Sequence, residues 1–75
     1  MLLDEIREII ADVLEINMED IDIDSRLDDL GVDSLAAIDI TSEVEDQYSI
    51  EISDDTIKSF KTVEDIVSYV EANLD

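Results

Sequence analysis

The 75-residue chain carries 23 acidic and 4 basic residues and no histidine, which leaves a net charge of −19 at pH 7. That length allows one small domain over residues 1–75 and excludes a cleft between domains. The charge excludes attraction to nucleic acid or to an anionic lipid surface, and favours basic protein patches and diffuse cations.

There is no cysteine, hence no disulfide frame and no thiolate ligand set. No apolar stretch approaches the roughly 20 residues of a membrane span. No basic segment followed by an apolar run opens the chain, so the expected location is cytoplasmic. The first element follows from Leu2, Leu3, Ile6, Ile9, Ile10, Val13 and Leu14, whose three- and four-residue spacing predicts an amphipathic helix over residues 2–15. From Ile16 to Asp33 the period breaks. This aspartate-rich stretch is read as a long loop pinned to the core by Met18, Ile21, Ile23, Leu27, Leu30 and Val32, and its length hints at function. A second helix is expected after Asp33, a good N-cap residue, and runs to about Tyr48. "IEI" at Ile50–Ile52 has strand character but no partner strand. "SDDTIKSF" offers Ser53 as the cap of one or two helical turns. Thr62 and Asp65 have the spacing of a capping box opening a last helix with Val63, Ile66, Val67, Val70 and Leu74 on its apolar face. The expected architecture is an all-α bundle.

The second helix has more apolar residues than one face can hold. With Ser34 at zero and about 100° per residue, Ala37, Ile40, Thr41, Val44 and Tyr48 fall between roughly 240° and 340°, the core face. Asp39, Glu43 and Asp46 fall between roughly 120° and 180°, and Leu35 and Ile38 lie near 100° and 40°. Two large aliphatics are therefore expected outside the core, among carboxylates. Single exposed aliphatics are ordinary. An apolar spot ringed by acid also suits a partner with a basic rim.

The chemistry available to Ser34 is narrow. A serine nucleophile needs an adjacent base, and the chain lacks histidine, while Arg7, Arg26, Lys58 and Lys61 are distant in sequence. Asp20, Asp22 and Asp24 begin like a calcium loop, but Ser25 stands where that loop needs glycine and Gly31 where it needs a bidentate glutamate. No specific metal site is expected. A phosphate ester on Ser34 would sit at a helix start, where free amides and the macrodipole favour anions. Gly31, the only glycine, permits a sharp turn before it. By position alone, a capping pair at Asp33 and Ser34 explains the stretch as simply.

The segment "LGVDSL", Leu30–Leu35, resembles the attachment motif L-G-x-D-S-L of acyl carrier proteins at each of its fixed positions. The resemblance extends over nearly the whole chain, through the length, the acidity, the long loop, "IEI" and "TVEDIVSYV". It implies a four-helix bundle with a short third helix and a long loop between helices 1 and 2. It implies 4′-phosphopantetheine on Ser34, transferred from coenzyme A by a separate magnesium-dependent phosphopantetheinyl transferase, with Gly31 and Asp33 shaping the attachment site. Acyl groups would ride as thioesters on that arm, and the chain itself would be a non-catalytic monomer. Acyl transferases and ketosynthases with basic patches would dock on Leu35, Ile38, Asp39, Glu43, Glu45 and Asp46. Val44, Ile52, Ile57, Phe60 and Ile66 are candidates to line an acyl-chain cavity. The chain departs from the family at Ala36, often acidic there, at Ser53, often proline, and at Phe60, often a smaller aliphatic. These departures leave fatty-acid, polyketide and other lipid pathways open. The other readings are a peptidyl carrier domain and an acidic interaction module that mimics nucleic acid or buffers cations.

Overall fold

The computed structural model describes residues 1–74. Four helices follow one another: α1 Leu2–Leu14, α2 Ser34–Tyr48, α3 Asp54–Ser59 and α4 Val63–Asn73. The core is aliphatic. Ile6 and Ile10 of α1, Ile21 of the long loop, Ile40 and Val44 of α2, and Val63, Ile66 and Val70 of α4 are buried almost completely. Each such side chain contributes about 1.5–3 kcal/mol by leaving water. α1 packs against both α2 and α4, and short α3 leans on α2. No helix among the described residues is long and apolar enough to cross a membrane.

The helix starts are set by local chemistry. The Asp33 side chain accepts from the Ala36 amide, the Ser53 hydroxyl from Thr56, and Thr62 and Asp65 close a reciprocal capping box. These side chains occupy backbone donors that a helix start leaves unpaired. α1 and α2 end at Glu15 and Ser49 in the left-handed conformation, each amide bonding back into its helix.

Residues 15–33 are irregular apart from a 3-10 turn at Met18–Asp20. Arg7 holds this segment from α1: its guanidinium donates to the Ile21 carbonyl at 2.7 Å and the Met18 carbonyl at 2.6 Å, and pairs with Asp4 at 3.2 Å. The loop's far end runs antiparallel to the start of α4, with Leu27 N–H donating to Lys61 O, Val63 N–H to Ser25 O and Glu64 N–H to Ile23 O at 2.9–3.0 Å.

Three expectations change. Ile21 and Leu27 are buried as expected, but Ile23 is exposed, because it sits in the turn that the Ser25 amide closes on the Asp22 carbonyl at 3.1 Å. Leu74 is 44% exposed, since it is the C-cap residue and has left the helical stripe. Ile50–Ile52 forms no strand. Ile52 is buried, and its amide donates to the Glu45 carboxylate at 3.0 Å in place of a neighbouring strand.

Candidate functional site

The turn leading to Ser34 is built residue by residue. Gly31 has φ +94°, outside the range that L side chains adopt readily, and a Cβ there would meet nothing within 4 Å. Glycine is required by the backbone rather than by crowding. The amides of Leu30, Gly31 and Val32 donate back to Arg26, Asp28 and Leu27, folding the segment into tight turns. Asp33 then caps α2, its Oδ1 accepting from Ala36 N–H at 2.8 Å.

Ser34 is therefore the first residue of α2, and it is exposed. Among the described residues no side chain hydrogen-bonds its hydroxyl, so no internal base touches it. It borders a cleft of about 720 Å³ between the Arg26–Asp33 segment, α2, α3 and α4. The cleft floor is apolar, with Leu27, Ile40, Ile57, Phe60 and Ile66. The Phe60 ring meets the Tyr69 ring edge-on at 5.8 Å, and Tyr69 Oη–H donates to the Glu51 carbonyl at 2.9 Å, so α4 braces both ends of α3.

Of the residues expected to line an acyl cavity, the structure brings Ile57, Phe60 and Ile66 together around this cleft. It does not bring Val44 or Ile52 to it. Val44 lies about 15 Å along α2 from Ser34 and is wholly buried in the bundle. Ile52 follows the far end of α2 and is buried there. Helical periodicity marks Val44 as core and the apolar character of Ile52 suits burial, but neither reveals which side of the core is open.

The second face of α2 is exposed as the helical angles require. Leu35 is 74% and Ile38 52% exposed, and Asp39, Glu43 and Asp46 are exposed beside them. Glu45 differs: it is half-buried, and its carboxylate already holds the Ile52 amide. Among the described residues no three acidic side chains converge on a metal-sized site, the Asp20–Asp24 run included.

Sequence distance concealed one feature. Arg26, Lys58 and Lys61 all line the cleft that Ser34 borders. Arg26 pairs with Asp28 at 3.3 Å. That hydrogen bond is the first cause holding the Asp28 carboxyl below its usual range and raising Arg26. No local pattern announces this convergence, because it depends on pairing residues 23–27 with residues 61–64.

Comparison with known proteins adds to the geometry. Residues 4–70 match a family model described as a phosphopantetheine attachment site. The chain is 40% identical over 75 residues to a protein of Phytoplasma australiense named acyl carrier protein, covering 99% of each. It is 43% identical over 74 residues to the acyl carrier protein of Onion yellows phytoplasma, covering 97% of each. A crystal structure of a free-standing peptidyl carrier protein from Acinetobacter baumannii superposes with a TM-score of 0.85 at 23% identity, over 97% of this chain and 91% of that one. That last likeness concerns the fold.

Proposed function

As the chain belongs to the acyl carrier protein family, whose prosthetic group is covalently bound 4′-phosphopantetheine, we propose that Ser34 is its attachment point and that acyl groups travel on the arm as thioesters. One observation carries this assignment: an exposed serine with a free hydroxyl, at a helix start, opening onto an apolar-floored cleft. The residues fit the group. The Ser34 side chain is uncommitted, Gly31 carries no side chain that would crowd an approaching enzyme, and the α2 N-terminus favours the phosphodiester.

The chain needs no base of its own. In the transfer, Ser34 Oγ forms a bond to phosphorus, the pyrophosphate P–O bond of coenzyme A breaks, and the nucleotide leaves. The phosphopantetheinyl transferase takes the serine proton. Asp33 keeps one carboxylate oxygen clear of the cap bond and available to that enzyme's magnesium. Once bound, the arm supplies a thiol for thioester formation, and its tether raises the effective concentration of cargo at successive active sites. This chain's own part is to orient the attachment serine, offer the cleft, and present α2 to acyl transferases and ketosynthases through Leu35, Ile38, Asp39, Glu43 and Asp46. Glu45 contributes to that face through the oxygen not engaged by Ile52.

The acyl reading is preferred to the peptidyl one because relatives near 40% identity are named acyl carriers, whereas the peptidyl carrier shares fold at 23% identity. Fatty-acid synthesis is the first pathway to test, with polyketide and other lipid synthesis behind it. Incubation with coenzyme A, magnesium and a promiscuous phosphopantetheinyl transferase should add the mass of phosphopantetheine to the wild type and nothing to Ser34→Ala. No gain on the wild type, or an equal gain on the variant, contradicts the assignment.

A further inference from the structure

Three of the chain's four cations gather at the cleft beside Ser34, although the chain has 23 carboxylates over which to spread them. Arg26 is already paired with Asp28. Lys58 and Lys61 form no ion pair among the described residues, even though Asp33 and Asp54 line the same cleft. Their backbones are fixed. Lys58 lies in the last turn of α3, where its charge faces the carbonyl end of the helix. Lys61 donates its amide to Asp65 at 2.7 Å and accepts from Leu27 at 2.9 Å. At physiological salt, charges beyond about 8 Å are largely screened. The field at the cleft mouth is therefore set by the charges that line it: Arg26 and Asp28 offset each other, and the two lysines, unpaired among the described residues, stand beside Asp33 and Asp54.

We propose that Lys58 and Lys61 hold an oxyanion borne on the group attached to Ser34. The proposal rests on the carrier reading and deepens it by chemical class. The apolar floor at Ile40, Ile57 and Ile66 accepts methylenes, while the cationic rim accepts either the arm's phosphodiester or a carboxylate at the far end of a short acyl group. Cargo ending in carboxylate is thus admitted alongside plain aliphatic cargo, in a protein whose overall charge would repel it.

The test compares four states of the full chain by NMR: unloaded, bearing the arm, bearing a butyryl thioester and bearing a succinyl thioester, each verified by intact mass. Lys58 and Lys61 are the only lysines, so their ε-methylene signals are readily assigned, and the Met1 α-proton reports the effect of added net charge alone. Lysine shifts at least about twice the Met1 shift on arm attachment identify the phosphodiester. The same shifts with succinyl but not butyryl identify the carboxylate. In Lys58→Gln/Lys61→Gln, the arm's phosphorus signal or the succinyl carboxylate carbon signal should move correspondingly from its wild-type position. Loading with lysine shifts no larger than that of Met1, lysine shifts that first appear with butyryl, or an unmoved anion signal in the double variant overturns the proposal alone. Failure to load Ser34 overturns the carrier reading and this proposal with it.

Discussion

Ser25 accepts the Asp22 amide, Ser53 caps α3, and Ser59 donates to the Thr56 carbonyl. Those hydroxyls are committed to turns and caps. Ser49 ends α2 in the left-handed conformation, and Ser42 and Ser68 sit inside helices away from the cleft. Ser34 differs by position more than by residue type, since its hydroxyl is free at a helix start beside the cleft. A second side chain has a measurable chemical signature. Burial, and then the hydrogen bond to Glu5 at 2.6 Å, push the Tyr48 phenol up to about 12. The folded state then holds that proton more tightly than the unfolded state, whose phenol titrates near 10. Tyr48's contribution is complete below pH 10 and is lost as pH rises towards 12. Urea unfolding at stepwise higher pH should show wild-type stability falling across this window, with a smaller fall in Tyr48→Phe. Identical slopes would contradict the account.

Helix starts were legible because capping is local: Asp33, Ser53 and Thr62 need only the amides two or three residues ahead. The exposed face of α2 was legible because helical angle depends on spacing alone, and Leu35 and Ile38 stand out as calculated. Reversing Asp39 and Glu43 to Lys should slow modification by the transferase severalfold at low salt, with the unfolding midpoint little changed, because both are exposed and unpaired within the described residues. Equal rates at low salt would contradict the docking assignment. The long loop was legible as a loop, but its anchor was not. Arg7 sits on a helix that reads simply as amphipathic, and only the folded chain shows its guanidinium between two carbonyls. Bonds from a charged donor contribute about 1.5–3 kcal/mol each. Arg7→Leu should therefore lower stability by about 3–6 kcal/mol and speed amide exchange across residues 16–24 more than in α4. Uniform acceleration would show that Arg7 supports the bundle generally.

Across the whole molecule, a charge of −19 lies on a bundle of four helices with a single aliphatic core. Like charges repel most in the compact state, and salt screens them. The thermal midpoint should rise as monovalent salt increases from about 0.01 M to about 0.15 M, over which the screening length falls from about 30 Å to about 8 Å. A flat or falling midpoint would mean that local pairs such as Arg7 with Asp4 outweigh global repulsion. The all-α fold class followed from local periodicity and capping, whereas Ser34 as the proposed attachment point followed from the resemblance of LGVDSL to the carrier motif. The cleft's lining did not, because Val44 shares the helical periodicity of Ile40, Ile52 lies outside any helix, and only the packing of α3 against α2 decides which apolar residues face open space. One serine, by its place in this packing, is proposed to receive the arm. Fragment-ion mapping of the transferase-treated chain should find phosphopantetheine on Ser34 and on no other serine; its appearance elsewhere, or at several serines in comparable amounts, would overturn the assignment.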